Sequence, residues 1–317
     1  MIATFEALPA TGLGVLLATS AMLLFALCVI ITSIASRRLD SDCGALLSAG
    51  VTLPFGLLLV GIQVSAGAAL TAPSTTGIVA FVLAGIFSTY LGRWLLFKSI
   101  ETMGPTRASG FQSSSPLLTA LIGWLLLGER LGVAAWVGMA LGVVGLAVMS
   151  RGGAARKPAS SAPPTTEKHL QRGILALGLG SSAAYAVSHV LRAAGVRDWS
   201  EPLAGTTLGA AAGLLVLLLV SARRLASISA RVAANRGSAL LYCVVGAMQF
   251  AAQALMIASM QYIPASFAAL ITMCTPLVVL PVSFVLLRNE EAISTRTVLG
   301  MFVTVAGIAL LTWRGFS

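Results

Sequence analysis

GMALGVVGLAVMS, from Gly138 to Ser150, lies over GMFVTVAGIALLT, from Gly300 to Thr312, at an offset of 162 residues. Gly138 and Gly300, Met139 and Met301, Val143 and Val305, Gly145 and Gly307, and Ala147 and Ala309 are identical, more than apolar composition alone readily gives. Further inward, an offset of 160 pairs Ser99 with Ser259, Ala108 with Ala268, Pro116 with Pro276 and Leu117 with Leu277. The chain therefore reads as two copies of one unit, and a repeat of this length sets the architecture before any local motif does.

Each copy divides into five apolar runs bounded by charge, Gly or Pro. The first five are expected at Leu13 to Ala35, Cys43 to Ala66, Gly77 to Ser99, Thr106 to Leu127 and Leu131 to Ser150. The second five are expected at Gly173 to Leu191, Leu203 to Val220, Ser238 to Met260, Ala265 to Leu287 and Ser294 to Trp313. A membrane-spanning helix needs roughly 20 apolar residues, so ten of them take up about 200 and leave only short connectors. Composition agrees, with 57% hydrophobic and 9% charged residues and a mean hydropathy of +0.95, far more apolar than a water-soluble domain. The expected fold class is an all-α integral membrane protein with ten transmembrane helices, built as two five-helix repeats at 13–150 and 173–313. Because five is odd, the second repeat enters the membrane from the opposite side, which makes the repeats inverted, a frequent architecture of secondary transporters. The segment RGGAARKPASSAPPTTEKHLQ, residues 151–171, cannot bury much apolar surface and reads as a flexible linker. No Lys or Arg precedes the first apolar run, so it is expected to stay in the membrane as a span rather than leave as a signal peptide.

The net charge of +10 would suggest nucleic acid in a soluble protein, but the basic residues fall in short loops, where they orient a membrane protein, so no nucleic-acid partner is expected. Loops and helix ends after odd-numbered spans carry 15 Lys and Arg residues, whereas the other side has Arg130, Arg192, Arg197 and Arg314. Arg93 is left inside a span. This asymmetry places both termini outside and the linker in the cytoplasm.

All ten acidic residues lie in loops or at helix ends, so the midplane offers no carboxylate of the kind proton-driven antiporters commonly use. No phosphate loop, paired catalytic carboxylates, metal-spaced cluster or GxSxG elbow occurs, and no enzyme, cofactor or metal is expected. The cysteines, Cys28, Cys43, Cys243 and Cys274, show no CxxC spacing and read as small buried hydrophobes.

Few polar groups remain inside the spans. Arg93 stands roughly 10 Å from the end of its helix. It either faces a central cavity and attracts a carboxylate or phosphate, or snorkels to the headgroups beside Lys98. Tyr90 and Thr89 share its face. His189, two residues from the expected end of its span, reads as an interfacial imidazole, with proton coupling as the alternative. Tyr185, one turn earlier, is either its cavity neighbour or an interfacial aromatic. The most informative pattern is a matched pair of interrupted helices, FQSSSPLL with Gln112, Ser113 and Pro116, and ITMCTPLV with Thr272 and Pro276. Each proline frees the carbonyl four residues back, that of Gln112 or Thr272, which protein, water or substrate must then satisfy. Interruptions at corresponding positions of two halves point to a binding site between them; the alternative is that the hydroxyls serve only to repair a kink. Gln249 and Gln253, equivalent by the 160-residue offset to Thr89 and Arg93, bring further polar groups.

With its duplicated five-span halves and the run PTRASGFQSSSPLLTALIGWLLLGERL, from Pro105 to Leu131, the sequence resembles the drug/metabolite transporter superfamily, specifically its ten-span EamA-type members. The second half departs from the Leu127-Gly128-Glu129 turn of the first, having Arg288-Asn289-Glu290. The resemblance implies transport of amino acids, nucleotide-related compounds, sugar phosphates or drugs, and often cytoplasmic termini, opposite to the charge count.

The function expected from these readings is a secondary transporter in the cell (inner) membrane, an exporter or exchanger of small polar metabolites or drugs. Tyr90, Arg93, Gln112, Ser113, Gln249, Gln253 and Thr272 are expected to bind substrate, Pro116 and Pro276 to gate, and His189 to be the candidate for coupling. The alternatives are a lipid-carrier flippase and a non-transporting membrane scaffold.

Overall fold

In a bilayer every backbone N–H and C=O must be satisfied internally, and a single helix does this within its own segment. The computed structural model describes residues 10–112, 114–127 and 164–263, and only single residues or short runs between 133 and 148 and between 268 and 306. Among the described residues there is no strand.

Helices α1 (Ala10–Ala35) and α2 (Ser41–Ser65) form the first two spans. The third, Thr75–Met103, comprises α3 (Thr75–Gly85), a π-helical stretch (Ile86–Gly92) and α4 (Arg93–Met103). Ser74 caps α3 by accepting from the Gly77 N–H at 2.9 Å. Then follow α5 (Pro105–Gln112) and α6 (Ser115–Leu127), and, in the second half, α7 (Pro164–Asp198) and α8 (Pro202–Ser221). A 3₁₀ turn leads into α9 (Leu225–Ala234), followed by α10 (Arg236–Ser259) and α11 (Thr275–Leu286). Five helical stretches among the described residues are long and apolar enough to cross a membrane: Thr11–Ala35, Ser41–Ser65, Thr75–Met103, Pro202–Ala234 and Arg236–Ser259. Most of the expected fifth and tenth spans, including most of the Gly138 and Gly300 stretches, lies outside the described residues, as does 151–163 of the expected linker. Helix α7 begins at Pro164, within that linker.

The helix after the linker runs on to Asp198, seven residues beyond the expected end of the sixth span at Leu191. Arg192 is therefore not a loop residue. Only 5% exposed, it donates from Nη2 to Ser88 Oγ at 2.6 Å.

Small residues bring the helices together where lipid supplies no hydrophobic drive. Gly209 and Gly213, four residues apart on α8, meet the third span: a Cβ on Gly213 would lie 2.6 Å from the Gly85 carbonyl oxygen, and one on Gly85 only 1.9 Å from that of Gly209. Helices α2 and α10 approach as closely, with a Cβ on Gly246 falling 2.3 Å from the Ser48 carbonyl oxygen.

The two ends of the bundle differ in charge. At one end, Arg231 pairs with Asp40 at 3.0 Å, Arg224 with Asp42 at 3.5 Å and Lys98 with Glu101 at 3.3 Å. This end gathers the loops that follow the first, third and seventh spans. At the other, Glu201 is 5% exposed and accepts from the Thr71 N–H at 2.9 Å, Thr71 Oγ1 at 3.1 Å and Gln63 Nε2 at 3.3 Å. Removing such an acceptor costs about 2–3 kcal/mol. Glu201→Ala is expected to lose about that much stability and to speed hydrogen exchange in residues 66–74, which exchange mass spectrometry checks.

Candidate functional site

The helical course breaks twice, at repeat-related positions. Helix α5 stops at Gln112 and α6 starts at Ser115, while on the second side Ile271 and Thr272 are helical and α11 starts at Thr275. At each break the same turn forms: the Ser114 N–H bonds the Phe111 carbonyl at 2.9 Å, and the Cys274 N–H bonds that of Ile271 at 3.1 Å. The sequence pattern reads these stretches as interrupted helices whose prolines free the carbonyls of Gln112 and Thr272. The interruptions are present, with Pro116 and Pro276 in the first turn of a new helix, where a missing N–H leaves no bond unmade. In the first half the interruption is repaired from α7, because Ser182 Oγ donates to the Phe111 carbonyl at 2.7 Å.

These breaks border a cavity of about 770 Å³, its mouth included, between the two halves. Four pairs of positions 160 apart line it together: Phe25 and Tyr185, Val29 and His189, Gln112 and Thr272, and Ser115 and Thr275. Gln249 and Gln253 of α10 complete its polar wall, while Leu96, Phe97 and Ile100 of α4 make an apolar one. Ser181 Oγ donates to Gln112 Oε1 at 3.0 Å, fixing that amide, and Gln249 Nε2 donates to the Tyr185 hydroxyl at 3.3 Å. Tyr185 stacks on His189 with ring centroids 6.4 Å apart and leans against Gly92, where a Cβ would approach its ring to 3.0 Å.

The cavity also collects unsatisfied polar atoms. Thr32 Oγ1, Ser115 Oγ, His189 Nδ1, Gln249 Oε1 and Gln253 Oε1 all belong to lining residues, are buried and have no partner among the described residues. Buried polar groups are otherwise almost always paired, so such a concentration marks a surface built to meet a solute or water.

Gln112, Gln249, Gln253 and Thr272 are thus brought together as expected, and His189 joins them. His189 does not lie at an interface, because α7 continues nine residues beyond it. Arg93 takes neither expected position. It is 2% exposed, so it does not snorkel, and it is not among the lining residues, because its Nη1 turns to Thr52 Oγ1 at 3.0 Å and Ser48 Oγ at 3.4 Å of α2. Tyr90 and Trp94 pack partly buried against the cluster of Cys28, Ala35 and Leu217, and the Trp94 indole donates to Asp42 at 2.7 Å. Ser113 lies outside the described residues. Sequence reasoning missed Tyr185 as a settled cavity residue, the α1 wall and Arg192. The signal for Arg192 is weak: Ala193, Ala194 and Val196 after it favour helix, but Gly195 and Arg197 read as a span end.

A multi-pass helical bundle with a mostly apolar cavity that carries several polar groups at a repeat interface fits a membrane transporter of small molecules. The chain belongs to the EamA-like transporter family, whose model matches residues 12–151 and 171–313. Members of this family are transporters rather than enzymes, work in lipid and act on small-molecule substrates. No curated protein matches the sequence significantly. Solved structures give 29 matching chains. One, a crystal structure of a protein at 19% identity, superposes with a TM-score of 0.60 over 96% of this chain and 97% of its own.

Proposed function

We propose that the chain is a ten-span secondary transporter of the cell (inner) membrane, exporting small polar metabolites, amino acids or related compounds, or drugs by alternating access of two inverted halves. The observation that carries this reading is the shared cavity wall, in which four pairs of repeat-related residues face one space. Gln112, Gln249, Gln253 and Thr272 set selectivity there, and His189 is the candidate for coupling. The helix breaks before Pro116 and Pro276 let half-helices move against each other. A solute held at a pseudosymmetric interface meets equivalent surfaces whichever half rocks away, which is the geometric requirement of alternating access.

The test compares extracellular metabolites from cells expressing the parent chain with those from cells expressing Gln112→Ala at equal abundance. A small class of compounds should accumulate outside at least about ten-fold more with the parent, roughly the effect of losing one well-held polar contact. Equal profiles, together with lipid scrambling by the purified protein in liposomes, would replace export by lipid flipping.

A further inference from the structure

Arginine stays charged at any accessible pH, and a charge inside the membrane is costly unless it is paired. Arg93 and Arg192 are 2% and 5% exposed, and their hydrogen-bond partners are the neutral hydroxyls of Ser48, Thr52 and Ser88. Arg93 Nε has no partner among the described residues. The acidic side chains that the structure describes are committed elsewhere, at the bundle ends. Asp40 holds Arg231, Asp42 holds Trp94 and Arg224, and Glu101 holds Lys98 and Ser41. Asp198 accepts from Thr76 and Glu201 from Thr71 and Gln63. Two buried positive charges thus lack a counter-charge among the described residues.

Both charges act on the same part of the cavity wall. Gly92, next to Arg93, lies against the Tyr185 ring, where a Cβ would fall 3.0 Å from it, and Arg192 stands one turn after His189 on α7. Tyr185 and His189 both line the cavity. The π-helical stretch carries Ser88, the anchor of Arg192, and ends one residue before Arg93, so a single irregular segment sets both cations. The repeat-related partners of Tyr185, His189 and Arg192 are Phe25, Val29 and Thr32, and that of Arg93 is Gln253, so neither arginine is matched by a charge at the equivalent position of the other half.

We infer that the cavity binds a small anion, the carboxylate of an organic cargo or a free inorganic ion, against Tyr185 and His189, with Arg93 and Arg192 supplying the balancing charge from behind the wall. The cargo form of this inference rests on the transport reading; the anion site does not. Neither arginine has to touch the ligand, because a charge in a low-dielectric surround acts over several ångströms.

The test is thermal unfolding of the purified full chain in lipid nanodiscs, with chloride replaced by the bulky HEPES anion. The additions are phenylacetate, its neutral isostere phenylacetamide, or chloride. An anion should raise Tm and phenylacetamide should not; phenylacetate acting alone assigns an organic acid, and chloride acting equally well assigns an inorganic ion. Arg192→Met should hold its Tm without anions, since Ser88 Oγ keeps its bond to the Ala84 carbonyl at 2.8 Å. Its affinity for the anion should fall at least about ten-fold, and Arg192→Lys should restore part of it. Should Arg192→Met not fold, Arg93→Met and Arg192→Lys carry the same comparison. The inference is overturned if neither anion shifts the parent, if phenylacetamide shifts it as much, or if the shift survives unchanged in the arginine variants. Flux in liposomes from the same preparation separates the two readings: anion binding without flux sinks transport alone, and flux of solutes indifferent to anions sinks the anion site alone.

Discussion

Gly85→Val is expected to leave little folded protein. The Cβ it introduces would lie 1.9 Å from the carbonyl oxygen of Gly209 and 2.3 Å from its Cα, both backbone atoms that no rotamer change can move. Relief requires α3 and α8 to separate along their whole contact, which also lifts Gly213 off Thr89 and the Gly85 carbonyl. Overpacking of a tight interface costs about 1–3 kcal/mol when side chains can yield and more when they cannot, so a loss of at least ~3 kcal/mol is expected. Gly61 supplies the control. No atom lies within 4 Å of a Cβ built there, and its helix is regular. Gly61→Ala should therefore be neutral or stabilise by about 0.5–1 kcal/mol through helix propensity. Thermal unfolding of the purified variants, with size-exclusion profiles as a check on folding, measures both. A Gly85→Val variant as stable as Gly61→Ala would refute the close contact of the third span with α8.

The same contact shows what sequence can and cannot deliver. Gly209 and Gly213 are legible as a small-residue pair four apart, but their partner, Gly85, sits in a run of apolar residues that offers no comparable signal. The matched Gln112 to Pro116 and Thr272 to Pro276 stretches are legible because proline after hydroxyl residues at repeat-related positions is rare by chance. Both stretches border the cavity between the two halves. What the pattern cannot give is side-chain direction. Arg93 and Gln253 occupy equivalent positions, yet Gln253 faces the cavity and Arg93 turns to α2, because Ser48 and Thr52 offer it hydroxyls there. Such a partner lies some forty residues away in sequence and follows no period. The π-helical stretch from Ile86 to Gly92 is equally silent in sequence, since inserting one residue into a helical turn changes register without changing composition.

Replacing Gln249 and Gln253 by leucine together is expected to abolish transport of a polar solute while leaving the fold intact or firmer. Each amide has its Oε1 buried without a partner among the described residues, where Gln249 gives one bond, from Nε2 to the Tyr185 hydroxyl. A structural glutamine would have its oxygen paired, and its loss would cost stability. Here the unsatisfied oxygens already cost stability in the absence of solute, roughly 1–3 kcal/mol for each fully buried group, so leucines of similar volume remove a penalty. The double variant should unfold at or above the parent's Tm. Transport should respond the opposite way: a polar cargo entering a leucine-lined wall is desolvated without compensation, and the loss of two hydrogen bonds at about 1.5 kcal/mol each corresponds to a factor of at least about 100 in flux. Melting curves and liposome flux on one preparation read both effects. A variant that loses stability and flux in proportion would make the two glutamines ordinary core residues. A variant that keeps both would move the transport path away from this wall. Divergence of the two measurements is the signature of a surface kept unsatisfied for a ligand, since stability gained by removing such groups is lost from function.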